Sequence, residues 1–450
     1  MNQAARIISI YAADTSGVCS ALYEYGGMTV IHDASGCNST YTTHDEPRWY
    51  DKKSMIFISG ITEKDAVMGN DDKFIDDLVI AAKELKPAFI ALCASPLPAM
   101  IGTDLDAIAY AVEDETGIPS FAVKTNGMQS YISGADNAFL ALAKKFADCG
   151  YGELCQPTEN PFVFDMNAMN LMFGKSDTAA RTSADSESGL YPQEDTFKKI
   201  KVNLLGITPL DFPKKENIEA LFDYIKGSGF ELNACVGVNT DLNEFKKLRK
   251  ADVNLLLSST GKSLADYLYK EYEIPCVTGV PYGETLPKLI KDFLKLSFEK
   301  KINIPVPNLI RDNDCEASDD EIKRIIDIHK KPFDNNVNKP LTGKVAILGE
   351  SILSTSLASA LLLDLGIETT VIETVGEGDL SVLLSDDKRF EDENLLERDL
   401  KNYDTIIADP MFKPICAEKR FISLPHEAFS GRCYTKEAPN IINCALDLFN

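Results

Sequence analysis

Three times along the chain, short apolar runs alternate with stretches whose apolar residues recur every third or fourth position. In the first block Ser54 to Gly60 is an apolar run ended by glycine, and Lys73 to Leu85 carries Ile75, Leu78, Ala81 and Leu85 at helical spacing. Pro87 to Cys93 is again strand-like, Thr103 is placed to cap a helix over Asp104 to Thr116, and Pro119 to Val123 is the next strand. A strand period that gives way to a helix period and back again predicts βαβ units, hence parallel sheets.

The pattern restarts twice. Strands are predicted at Val202–Gly206, Glu231–Gly237, Val253–Leu257 and Pro275–Gly279, with helices over Asn217–Lys226 and Asp241–Lys250 and another ending at Tyr272. The third block opens at Gly343–Gly349, continues through a helix over Ser354–Leu365 and strands at Thr369–Ile372 and Thr405–Ala408, and closes on a helix from Ala438 to Leu448. Between the blocks, Gln156–Lys199 is polar and aperiodic and Phe293–Asp334 is rich in Lys and Asp. A chain of 450 residues exceeds what one core usually serves. The expected fold class is α/β, with three doubly wound domains, each a mainly parallel sheet flanked by helices. Their expected bounds are 1–155, 200–292 and 341–450, joined by segments 156–199 and 293–340.

Composition excludes some partners. A net charge of −23 with no basic cluster opposes binding to nucleic acid or to an anionic membrane. The N-terminus leads into a strand-like run and lacks a signal-peptide pattern. The apolar stretch Ile352–Ile367 is interrupted by Ser354, Thr355, Ser356, Ser359 and Asp364, too polar to span a bilayer. These features predict a cytoplasmic protein. In a reducing compartment the eleven cysteines are expected as core residues or metal ligands, while four histidines limit zinc-type sites.

Nucleotide motifs fail on inspection. Gly261-Lys262-Ser263 imitates the end of a P-loop, but the motif's first glycine falls on Leu256, so the expected structure is a helix start after a strand. Gly349-Glu350-Ser351-Ile352 lacks the further glycines of a dinucleotide fingerprint. Any ATP chemistry is therefore expected elsewhere.

Three cysteines stand in settings that packing alone does not explain. They occur in Ser16-Gly17-Val18-Cys19-Ser20, His32-Asp33-Ala34-Ser35-Gly36-Cys37 and Ala91-Leu92-Cys93-Ala94, at glycine-rich turns or the ends of apolar runs. If they share a ligand, the fold must bring them together. The segment from His32 to Cys37 resembles the His-x-x-x-Gly-Cys segment of the nitrogenase component 1 superfamily. Cys19 with its following Ala-Leu-Tyr-Glu-Tyr-Gly-Gly run is similar to that family's first cluster cysteine. Asp65-Ala66-Val67-Met68-Gly69-Asn70 resembles its Asp-Ala-Val-Phe-Gly-Gly turn, and Phe89 to Asp104, with Cys93 and Ile101-Gly102-Thr103-Asp104, resembles the third ligand strand and helix start.

The resemblance implies an oxidoreductase component that dimerises or forms α2β2 assemblies. It implies an interface iron–sulfur cluster ligated by Cys19, Cys37 and Cys93, fed with electrons by a separate ATP-hydrolysing iron protein. The partner would be a homologous component 1 subunit. Thiolates are the usual ligands of such clusters; a 4Fe-4S cubane wants about four and three from each of two chains would suit a larger bridged cluster, so both remain open. His32 is expected as a structural or outer-sphere group. Cys149, Cys155, Cys235, Cys276, Cys416 and Cys444 are expected mostly in the core, Cys315 is expected to be unreactive among acidic neighbours, and Cys433 is left unassigned.

The chain also departs from the family's cofactor-carrying subunit. Where that subunit supplies a cysteine after a second-domain strand, this chain has Ser258, Ser259 and Thr260, and His426 lacks the context of the cofactor histidine. The resemblance is thus closer to a β-type subunit of a nitrogenase-like reductase. The alternative is a scaffold for assembly of a nitrogenase-type metal cofactor, and a third possibility is an α/β binding protein without electron transfer.

Overall fold

Parallel strands gather into three sheets in the computed structural model, which describes residues 7, 12–34, 46–49, 51–147, 199–312, 319–330, 341–390, 392–416 and 418–449. The first sheet, in the order β2-β1-β3-β4, comprises β1 (Met28–His32), β2 (Met55–Ile58), β3 (Ile90–Ala94) and β4 (Ser120–Val123). The second, β6-β5-β7-β8-β9, is built from β5 (Lys201–Leu205), β6 (Glu231–Cys235), β7 (Val253–Leu256), β8 (Cys276–Thr278) and β9 (Ile304–Pro305). The third, β12-β11-β10-β13-β14, contains β10 (Val345–Gly349), β11 (Thr369–Glu373), β12 (Lys388–Arg389), β13 (Thr405–Ala408) and β14 (Arg420–Ser423). Every strand pairing within these three sheets is parallel. In each sheet the strand that opens the block lies inside, and the chain winds to both sides of it. The fold is α/β, as the alternation of periods predicts.

Helix Asp14–Leu22 is buried on every side, which explains why its sequence shows no amphipathic stripe. It crosses helix Tyr131–Phe146 backbone to backbone. A Cβ on Gly17 would stand 2.0 Å from the Tyr131 carbonyl oxygen, and one on Gly134 would stand 1.8 Å from that of Asp14. Two glycines therefore set this helix separation.

Three local expectations are corrected. The N-cap of helix Leu105–Thr116 is Asp104, whose Oδ1 accepts from the Ala107 amide at 3.0 Å; Thr103 lies one residue outside. Cys19 sits within a helix and not at a turn. The C-terminal stretch predicted as helix forms instead a bridge between Ile442 and Tyr282 and a short 3-10 turn at Asp447–Phe449. Pro439 cannot continue a helical hydrogen-bond ladder and Asn443 adopts φ 50, so the segment is laid across the second domain.

Candidate functional site

Cys19 and Cys93 lie in one region of the apolar core, 3% and 0% exposed. Burial pushes the Cys93 thiol well above its ordinary range, and the nearby Cys19 and Asp14 push it further. Burial, helped by the charge of Glu46, raises Cys19 as well. Both are free thiols, and the Cys93 sulfur faces the Val30 carbonyl at 3.8 Å. Without a metal such groups stay protonated; a metal ion displaces the protons.

Cys37 lies outside the described residues. In the sheet Ile31 is paired with Cys93 and His32 with Ala94, so β1 leaves the sheet beside Cys93. The chain from His32 to Cys37 can reach ~18 Å at full extension. After the undescribed stretch the chain returns at Glu46 and Arg48. The Arg48 guanidinium donates to the Ser20 carbonyl at 2.6 Å, to Glu46 Oε1 at 2.7 Å, to Glu24 Oε1 at 3.0 Å and to the Gly237 carbonyl at 3.1 Å. The described chain thus leaves β1 beside Cys93, and Arg48 is tied to Ser20, the residue next to Cys19. Two neighbouring buried, protonated thiols fit a thiolate-ligated cluster. Among the described residues alone, no group of three or more His, Cys, Asp or Glu could hold a metal ion.

His32 serves packing. Its ring stacks on Phe74 with centroids 4.1 Å apart, and Nδ1 lies 2.9 Å from Ser59 Oγ. Burial lowers its pKa to about 4 against the pull of Asp71 and Asp33, so the ring is neutral. Lys262 and Ser263 begin helix Lys262–Tyr272 as expected, and their side chains are engaged by Asp266 and Asp136.

A second feature was not singled out from sequence. Parallel strands of the second and third sheets point their carboxyl ends at a shared cavity that is partly open to solvent. Its apolar wall includes Leu348, Leu353, Leu357, Leu424, Phe429 and Ile441, and its polar wall Asp211, Asn217, Glu350, Asp409 and His426. Glu350 directly follows β10 and Asp409 directly follows β13, the strand-end position where open α/β sheets place functional groups. That rule was the available signal.

The polar wall joins all three domains. Tyr131 donates its hydroxyl to Asp211 Oδ1 at 2.5 Å, and His426 Nε2 stands 3.3 Å from the same oxygen. His426 Nδ1 accepts from the Ala428 amide, which assigns the Nε2 proton toward Asp211. Burial pulls the imidazole pKa down, but the hydrogen bond to Asp211 and the charges of Asp211, Asp409 and Glu350 prevail and raise it. Asp211 Oδ2 also accepts from Ser258 at 2.7 Å. Glu350 caps helix Ser351–Leu365 through the Leu353 amide and accepts from Ser259. Burial and the Asp211 charge raise its pKa. Ser258 and Ser259, read as a missing cysteine, therefore act as donors to buried carboxylates. Among the described residues no cysteine lines this cavity.

The family described as nitrogenase component 1 type oxidoreductase matches residues 17–394. The nitrogenase molybdenum-iron protein beta chain of Acidithiobacillus ferridurans is 28% identical over 207 residues, 40% of each chain. A light-independent protochlorophyllide reductase chain of a Nostoc species is 33% identical over 98 residues, 22% of this chain and 19% of that one. These alignments span less than half the length of the curated relatives. A solved structure of nitrogenase Cp1 at pH 5 superposes with a TM-score of 0.57 at 18% identity, covering 99% of this chain and 88% of that one, and shows the same fold. No helix among the described residues is long and apolar enough to cross a membrane. The chain belongs to the nitrogenase component 1 type oxidoreductases.

Proposed function

We propose that the chain is a subunit of a nitrogenase-like, ATP-dependent reductase. It accepts electrons from a separate iron protein through an iron–sulfur cluster, 4Fe-4S or larger, at an interface with a homologous subunit. Cys19, Cys37 and Cys93 hold that cluster. The observation that carries this reading is that Cys19 and Cys93 are buried near each other, where β1 leaves the sheet beside Cys93 and Arg48 donates to the Ser20 carbonyl. When bound, the cluster supplies a one-electron relay. The protein's part is to keep the thiols in one dry pocket and to fix the loop. With no ATP-binding motif in this chain, ATP hydrolysis is assigned to the iron protein. The lack of thiols among the described residues of the cavity between the second and third sheets favours a reductase over a scaffold that would hold a metal cofactor there.

The test is anaerobic purification with iron and sulfide analysis and low-temperature EPR, for the wild type and for Cys19→Ser, Cys37→Ala and Cys93→Ser. We expect a dithionite-reducible cluster in the wild type that is lost or converted in each variant. Iron-free wild-type protein after reconstitution, alone and with a homologous subunit, would remove the redox reading.

A further inference from the structure

Ser95 is 1% exposed, and its Oγ has no hydrogen-bond partner among the described residues. The residue precedes helix Pro96–Ile101, where a serine ordinarily caps by accepting from the second or third amide of the helix. Here the third position is Pro98, which has no amide proton, and no side-chain cap forms. The hydroxyl is thus released from its usual local role. Burying a polar group without a partner is unfavourable, so a hydroxyl held in this way points to an acceptor outside the described chain.

Alternation along β3 places that hydroxyl. Ala91 and Cys93 pack in one core with Cys19, Ile31 and Val123, whereas Leu92 and Ala94 pack with Val30 in the core on the other face of the sheet. Ser95 continues β3 with extended backbone, φ −84 and ψ 179, so its side chain falls on the face of Cys93. Its amide donates to the His32 carbonyl at 3.2 Å, which holds the residue where β1 ends. The polar groups around it are already engaged. The Asp14 carboxylate, whose charge acts on Cys93, accepts from the amides of Thr15, Asn126 and Gly127 at 2.7, 2.8 and 2.9 Å. The Thr125 hydroxyl is bonded to both the amide and the carbonyl of Ala94 at 2.8 Å.

We propose, on the reading that Cys19 and Cys93 ligate an iron–sulfur cluster, that Ser95 donates its hydroxyl proton to one of that cluster's sulfurs. Thiolate and sulfide sulfurs carry negative charge and accept such bonds, and the bond is stronger in the reduced form, which holds one more electron. Ser95 therefore raises the potential at which the cluster takes up its electron.

The experiment is a dye-mediated EPR titration of the cluster-loaded full chain, prepared anaerobically, for the wild type and Ser95→Ala. The variant should keep the wild-type iron content while reduction becomes about tenfold less favourable, a shift of about 59 mV to lower potential for one electron. After exchange into D2O, pulsed EPR of the reduced wild type should show a deuteron coupled to the cluster, and Ser95→Ala should lose that coupling. The iron-free variant should melt no lower than iron-free wild type, because it removes only an unpaired group. An unchanged potential or an unchanged deuteron coupling in the loaded variant would overturn the proposal. So would loss of the iron, the mark of a ligand, or a lower melting temperature of the iron-free variant, the mark of an internal partner. Wild-type protein that takes up no iron would remove the redox reading and this bond with it, an outcome distinct from a loaded wild type whose potential does not depend on Ser95.

Discussion

Tyr131 reaches from the start of a first-domain helix to donate a 2.5 Å hydrogen bond to Asp211 in the second domain. The same aspartate oxygen faces His426 of the third domain. One carboxylate thereby fastens the junction of all three sheets. Tyr131→Phe removes only the hydroxyl, and the expected loss is about 1–3 kcal/mol of folding stability, with the ring still packed. Urea denaturation monitored by circular dichroism checks this; a midpoint equal to the wild type would show that the bond contributes nothing.

Arg48 is the corresponding clamp between the first and second domains. It is buried with Glu24 and Glu46 and also holds the Gly237 carbonyl. Arg48→Met leaves buried Glu46 without its cation and Glu24 with only exposed Lys52, and should cost about 3–5 kcal/mol. Lys52, which also pairs with Glu24, is exposed and cannot replace it. In iron-loaded protein the same variant should retain less cluster, read as the iron-to-protein ratio; unaltered stability and iron content together would contradict the clamp.

Gly17 and Gly227 make a matched pair of glycine tests. Gly17→Ala drives a methyl group onto the Tyr131 carbonyl, where neither backbone can yield, and should destabilise by at least about 3 kcal/mol. Gly227 ends helix Lys215–Gly227 with open space where a Cβ would go, so Gly227→Ala should gain about 0.4–1 kcal/mol. Thermal melts of the two variants should move in opposite directions.

His32 predicts a pH dependence with a definite sign. Its folded-state pKa of about 4 lies below the ordinary 6.5, so folding favours the neutral ring. This contribution is fully present above pH 6.5 and is lost as the pH falls from 6.5 to 4. His32→Gln keeps a polar partner for Ser59 but does not titrate. The stability difference between wild type and variant, followed by urea midpoints, should shrink across that window; a constant difference would mean that the ring does not titrate there.

The sequence by itself determined the α/β class and the three successive blocks, because the change from strand to helix period is local and survives any tertiary arrangement. It also picked out Cys19, Cys37 and Cys93, since their flanking motifs are contiguous in the chain. Only the tertiary structure decided that Cys19 and Cys93 lie near each other, as the two stand on a helix and a strand joined by no local rule. The same holds for Tyr131, Asp211, Asn217, Glu350 and His426. Tyr131, Asp211 and Asn217 are unremarked among their own neighbours, Glu350 and His426 stand out in sequence only in motifs that fail, and their contacts come from other domains. The failed C-terminal helix has the same cause: the propensity of Ala438–Leu448 yields to Pro439, to Asn443 and to the pairing of Ile442 with Tyr282, a contact that no local pattern encodes.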